Sequence, residues 1–412
     1  MNRTVSLPVA AVGIALTALL GTSPSMAQAV EFNDGNEATG APTVVSLGDS
    51  FMSGEGGRWA GNTYTSQTSS GAAATGANDR GWMTYRDSRN APLSGDFAKQ
   101  NQPAACHRSD TSIVNTIAAA MDWTGINLAC SGAETEQVTT ARFRGEAPQV
   151  EQLRQVANDP AIDVKAVVVS IGGNDLKFSD LLWSCMQIGQ THDCSANADS
   201  RFGGNINGTK RLTDLQAATA TKITGALDAV TRVMREAGYE DGSYRFIYNG
   251  APKLFAGSPE RIPSTTGWMG NYYDSPGVPF HDSTVTWSND VAVPLMNDIM
   301  RTAAGASVNQ EIEFMDLANV FKGHELSNTH TRQYRKGDVQ PGNLSEWVVP
   351  LDPNYIRHSY GAPRLQESFH PNSFGQQVIG RCVTDVIAGN PGAHEYACEG
   401  IPGALAARVT AR

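Results

Sequence analysis

Four short segments of this 412-residue chain hold residue types suited to chemistry: Gly48-Asp49-Ser50, Cys130-Ser131-Gly132-Ala133-Glu134, Gly172-Gly173-Asn174-Asp175 and Phe369-His370-Pro371-Asn372. A serine hydroxyl is a weak nucleophile until a base lies within hydrogen-bond reach. His370 is a residue of that type. The oxyanion that forms when a hydroxyl attacks a carbonyl needs preorganised donors. The backbone N–H of Ser50 at a helix start, the backbone N–H of Gly132 and the side-chain amide of Asn174 are groups of that kind. Together the four segments have the parts that acyl transfer requires.

The elements around them decide whether these residues can meet. Val44-Val45-Ser46-Leu47 is an apolar run that breaks at once into glycine, aspartate and serine. Residues 164–175 form a continuous run of β-branched residues ending in glycines, the pattern of a strand buried on both faces of a parallel sheet. Residues 125–130 read as a short strand. In open α/β sheets ligands bind outside the carboxyl ends of strands, so Ser50 and Asn174 are expected on one edge. His370 precedes a helix predicted over 373–389, and its loop can return over that edge.

Other helices are predicted near 109–122, with Ser109 or Asp110 as cap, and over 147–156, 212–238 and 290–303. Leu215, Ile223, Leu227, Val230 and Met234 keep helical spacing in the longest of them, and Gly238 suits its end. Further strands are predicted over 43–48, 244–252 and 312–321. This alternation predicts an α/β fold with a central parallel sheet and right-handed crossovers. Residues 55–105, 255–289 and 322–366 are rich in loop-forming residues and read as long insertions on that core.

The order of Ser50, Gly132, Asn174 and His370 in these motifs resembles the SGNH hydrolases, also called GDSL lipases and esterases, over residues 40–388. The resemblance is greatest to their secreted actinobacterial lipase/esterase branch. It implies a flavodoxin-like three-layer α/β/α sandwich. It also implies Ser50 as nucleophile, Ser50, Gly132 and Asn174 as oxyanion donors, and His370 as base. Many members have aspartate three residues before the histidine, where this chain has Glu367. Either the Glu367 carboxylate or its backbone carbonyl would then orient the imidazole. The G-x-S-x-G signature of α/β-hydrolases is absent.

The branch also carries three disulfides between neighbouring cysteines. Six cysteines are present here, Cys106, Cys130, Cys185, Cys194, Cys382 and Cys398, and their spacing favours the same neighbour pairs. None has the C-x-x-C spacing of a zinc site, and no metal or organic cofactor is expected. Residues 1–29 have the grammar of a secretory signal peptide: Arg3, an apolar run over 9–21, and small residues at the cleavage spacing within 25–29, with Ala27 and Ala29 as the candidates. That run is too short to span a bilayer comfortably. Residues 30–412 are expected as one exported domain. A net charge of −10 without a basic run argues against nucleic acid or anionic membranes as partners.

The expected protein is therefore a secreted carboxyl-ester hydrolase, a lipase or esterase, acting on a small-molecule or lipid ester. An acyltransferase or a carbohydrate deacetylase could use the same site. An exported binding protein on a degenerate hydrolase scaffold is the non-enzyme alternative. Among neighbouring residues, Asp49 is read as a cap for the segment that follows it, with a catalytic acid as the alternative, and Asp175 as a cap for the segment that follows it. His324 and His330, six residues apart, do not match H-E-x-x-H and are expected on a surface loop. His107 either packs beside the Cys106 disulfide or lines the cleft. Trp59, Trp82, Trp268 and Trp287 either wall the cleft or anchor the insertions.

Overall fold

A computed structural model describes residues 40–57, 59, 103–178, 181, 198–200, 204–206, 208–262, 278, 280–331, 341–350, 366–389 and 392–412. The apolar runs form strands β1 (Ala41–Gly48), β2 (Thr124–Asn127), β3 (Ile162–Ser170), β4 (Arg245–Asn249) and β5 (Ile312–Asn319). Two more strands, β6 (Glu395–Gly400) and β7 (Ala407–Ala411), close the chain. The sheet order is β2-β1-β3-β4-β5-β6-β7. Every neighbour pair from β2 to β6 is parallel, and β7 returns antiparallel on β6. The chain grows outward from β1 to β2, then reverses to β3. That reversal opens a crevice at the C-terminal ends of β1 and β3.

Successive side chains of a strand point to opposite faces, and both faces of β1 and β3 are buried. Val45, Leu47, Val167 and Val169 belong to one core; Val44, Ala166 and Val168 belong to the other. The helices are α1 (Ser50–Ser53), α2 (Ile113–Met121), α3 (Thr135–Thr139), α4 (Gln149–Ala157), α5 (Gly208–Glu236), α6 (Asp282–Trp287), α7 (Val293–Gly305) and α8 (Ser373–Ala388). Helices α4, α5 and α7 cover the first face, and α2 and α8 cover the second. The fold is the α/β/α sandwich with a mainly parallel sheet.

Helix α5 buries Ile223, Leu227, Val230 and Met234 at helical spacing, and Gly238, at φ 93°, follows its end. Three boundaries differ from the sequence reading. Helix α2 starts at Ile113, because Ser109 Oγ accepts from Thr111 N at 3.2 Å and makes a turn there. The predicted 290–303 helix begins earlier, as α6 running through a π-helical turn, Ser288–Ala292, into α7. The wider turn lies just before Pro294, which has no N–H to give the α-helical ladder. Strands β6 and β7 were not foreseen. Their half-polar sequences take their place from pairing at the sheet edge and from the Cys382–Cys398 disulfide, which joins α8 to β6.

The described ends of the predicted insertions are not wholly on the surface. Glu55, Trp59, Phe255, Leu326 and Trp347 are all buried.

Candidate active site

Ser50 opens α1 directly beyond β1, and Gly48 explains why the chain can turn there. Gly48 has φ 130°, and a Cβ on it would stand 1.9 Å from the Ser170 carbonyl oxygen at the end of β3. Only glycine lets the two strand ends approach so closely. Gln149 holds the junction with both ends of its amide: Gly48 N donates to Oε1 at 2.7 Å, and Nε2 donates to Gly48 O at 2.8 Å. Asp49 caps α1, its carboxylate accepting from Phe51 N at 3.1 Å. Burial pushes the Asp49 carboxyl up to about 7 against that hydrogen bond, and the charge of Asp175 adds to the rise.

His370 Nε2 lies 2.7 Å from Ser50 Oγ, and its Nδ1 lies 3.0 Å from the carbonyl oxygen of Ser368. A carbonyl can only accept, so the ring proton sits on Nδ1. The lone pair of Nε2 therefore faces the serine hydroxyl. Burial lowers the His370 pKa from its ordinary 6.5, opposed by the charge of Glu55 and the carbonyl of Ser368. The ring is thus neutral at neutral pH and can accept a proton. Phe51 packs against it, centroids 5.2 Å apart.

Glu367 acts on the ring less directly than foreseen: its charge and its carbonyl favour the protonated His370, but behind Glu55 and Ser368. Its buried Oε2 accepts from Trp59 Nε1 at 3.0 Å, and its own carbonyl accepts from the backbone N–H of His370 at 3.2 Å. The carbonyl bonded to Nδ1 belongs to the next residue, Ser368. Phe369 sits in the left-handed region at φ 65°, and the chain doubles back so that Ser368 faces the ring.

The other two segments meet at the same crevice. Cys130 N donates to Gly48 O at 3.0 Å, and Ser131 N donates to Cys106 O at 3.1 Å. The Cys106–Cys130 disulfide ties the two segments covalently. Gly132 has φ 83° and is exposed in the cleft. Asn174 Nδ2 donates to Ala133 O at 2.9 Å, which spends one of its two amide hydrogens on the Gly132 loop. Asp175 caps a different helix from the one expected. Its carboxylate accepts from Thr135 N at 2.9 Å and Thr135 Oγ1 at 2.7 Å, at the start of α3. The Asn174-Asp175 segment is therefore linked to residues 133 and 135, just beyond Gly132.

Other residues lie close to the four segments, His107 among those singled out in the sequence and Glu55 and Arg108 not. His107 is buried and its Nδ1 lies 2.6 Å from Glu55 Oε2. Burial works against ionisation of Glu55, but the His107 ring and His370 outweigh it and hold the carboxyl below its ordinary value. Arg108 is fully buried and grips Glu146 with both Nη atoms, at 2.6 and 2.5 Å. It also donates to the carbonyls of Ala129 at 2.8 Å and Leu128 at 3.1 Å. A buried arginine pairing across 38 residues has no local sequence signal.

His324 is buried rather than on the surface. It stacks on Trp347 with centroids 3.8 Å apart, and its Nδ1 donates to Ser345 O at 2.8 Å. Trp59 and Trp287 act as anchors, the latter donating to Thr209 Oγ1 at 2.8 Å. Trp82, Trp268, Cys185 and Cys194 lie outside the described residues, as do residues 1–39. Among the described residues no helix is long and apolar enough to cross a membrane, and no cluster of His, Cys, Asp and Glu could hold a metal ion.

Solved structures similar to this chain include an extracellular lipase from Streptomyces rimosus, 20% identical. The alignment covers 85% of this chain and 100% of that one, with a TM-score of 0.44. Phospholipase A1 from Streptomyces albidoflavus NA297 is 17% identical, covering 85% and 100%, also with a TM-score of 0.44. A Corynascus thermopiles (Myceliophthora fergusii) carbohydrate esterase family 2 enzyme with a carbohydrate-binding domain is 10% identical, covering 84% and 65%, with a TM-score of 0.37. A comparison with curated proteins returns no match. Residues 44–383, most of the chain, match the family model of GDSL-like lipases/acylhydrolases, and on that match the chain belongs to this family of carboxylic ester hydrolases.

Proposed function

We propose that the chain is an exported serine esterase or lipase that works through an acyl-enzyme. Ser50 Oγ attacks the ester carbonyl while His370 Nε2 takes its proton. The backbone N–H groups of Ser50 and Gly132 and the second amide hydrogen of Asn174 stabilise the oxyanion. His370 then protonates the leaving alcohol. The same ring draws a proton from water, whose oxygen attacks the acyl carbon, frees the acid and restores Ser50. The observation that carries this reading is the 2.7 Å contact between Ser50 Oγ and His370 Nε2, with Nδ1 bonded to a carbonyl.

Export is supported by the signal grammar of residues 1–29 and by two disulfides, Cys106–Cys130 and Cys382–Cys398, which persist in oxidising compartments. We read residues 30–412 as one domain, because one sheet draws strands from Ala41 to Ala411.

The test is hydrolysis of p-nitrophenyl esters from acetyl to palmitoyl, with fluorophosphonate labelling, in wild type and Ser50→Ala. Turnover and labelling in the wild type, both lost in the variant, are expected. Chain-length preference separates esterase from lipase. A folded wild type that neither turns over nor labels overturns the proposal in favour of a binding protein.

A further inference from the structure

Arg144 stands at the wall of this crevice, and the acyl chemistry does not use it. It occupies a tight turn. Phe143 N donates to Glu146 O at 3.1 Å, and Glu146 N donates to Phe143 O at 2.8 Å. The two central residues, Arg144 at φ 48° and Gly145 at φ 81°, are both left-handed. Such turns favour asparagine, aspartate or glycine at both positions. A long side chain there is strained, and strain of this kind gathers at ligand-binding positions.

The turn is also braced. Glu146 is the partner of the buried Arg108 fork, which reaches the carbonyls of Leu128 and Ala129 just before the Gly132 loop. Arg144 Nη2 lies 3.4 Å from where a side chain on Gly132 would begin. Its guanidinium carbon sits 5.1 Å from the centroid of the Phe143 ring. Its Nε and Nη1 are buried and have no hydrogen-bond partner among the described residues. Burial lowers the Arg144 pKa, opposed by the charge of Glu55. Unmet guanidinium donors beside the loop that we assign to the oxyanion call for an oxoanion, which matches their planar fork.

We propose that Arg144 determines specificity by binding an anionic oxygen, of a phosphate or carboxylate group, carried by the ester close to its scissile carbonyl. The preferred substrates are then anionic esters. This rests on the assignment of Ser50 and Gly132 to the reacting centre.

Two matched substrate pairs test it. Mono-p-nitrophenyl succinate against p-nitrophenyl butyrate places a carboxylate on the acyl side. A diacylglycerophosphoglycerol against a diacylglycerol, in the same detergent micelles, places an anionic phosphate on the alcohol side. The readout is the anionic-to-neutral ratio of kcat/KM in wild type, Arg144→Gln and Arg144→Lys. Hydrogen bonds to a charged group correspond to about 10- to 100-fold in kcat/KM. The wild-type ratio is expected above one in at least one pair, falling by that factor in Arg144→Gln. Arg144→Lys should fall between, since it keeps the charge and loses the fork. The pair that responds identifies the oxoacid.

A wild type with no preference in either pair overturns the proposal. So does a ratio unchanged in Arg144→Gln, whatever the absolute rates. If Arg144→Gln does not fold, an unchanged ratio in Arg144→Lys is decisive in the same way. Neutral-ester turnover, and its loss in Ser50→Ala, reports separately on the reacting centre.

Discussion

A main-chain oxygen orients His370, and this changes what mutation can reach. The carbonyl of Ser368 survives any side-chain substitution, whereas the Glu367 carboxylate serves Trp59. Converting a working triad acid to its amide costs about 10⁴-fold in kcat; we expect Glu367→Gln to cost under about 10-fold, because its amide oxygen can still accept from Trp59. A loss of three or more orders of magnitude would return the carboxylate to the mechanism. The pH profile belongs to this scale too. Burial lowers the His370 pKa, so the acid limb of kcat/KM should have its midpoint below 6.5 and activity should be full at neutral pH. Glu55 favours the protonated ring. Removing its charge in Glu55→Gln should therefore lower the His370 pKa further and move the acid limb to lower pH. A limb that moves to higher pH would show that Glu55 acts differently.

At the scale of elements, the Gly132 loop is held by polar contacts from neighbouring segments. The Arg108–Glu146 fork ties the Arg144 turn to the end of β2, and Asp175 ties the loop after β3 to α3. Breaking a buried ion pair by removing one partner costs about 3–5 kcal/mol, because the other charge stays buried. Glu146→Ala should lose close to the low end of that range in denaturant unfolding, since Glu146 is partly exposed, and kcat should fall as the Gly132 loop loosens. Arg108→Met with Glu146→Leu should recover most of the stability. A double variant no more stable than Glu146→Ala would contradict this account. The helix boundaries that sequence patterns misplaced, at Ile113 and around Pro294, are places where turn chemistry or a missing N–H interrupts the helical period.

At the scale of the molecule, the crevice lies at the ends of β1 and β3, and β4 to β7 extend the sheet away from it. The Cys382–Cys398 disulfide closes a separation of 16 residues between α8 and β6. A loop of that size contributes about 3 kcal/mol by restricting the unfolded chain. Replacing both cysteines with alanine should lower the urea midpoint accordingly. An unchanged midpoint would show that strand pairing alone holds this end of the sheet.

The sequence alone determined the layers and which serine and histidine meet at the sheet edge. Runs such as Val164–Ile171 can only be buried on both faces, and short motifs at strand ends must share one edge of a parallel sheet. Ser50, Gly132, Asn174 and His370 could thus be assembled from local patterns. What needed the tertiary structure was every contact between residues distant in the chain that carries no periodicity. The choice of Ser368 over Glu367 depended on the backbone angle of Phe369. The Glu55–His107 pair, the Arg108 fork and the Arg144 nitrogens without a partner among the described residues depended on which buried polar groups met when the sheet closed. Hydrophobic pattern sets where a segment lies, but it does not say which polar atom will be its neighbour.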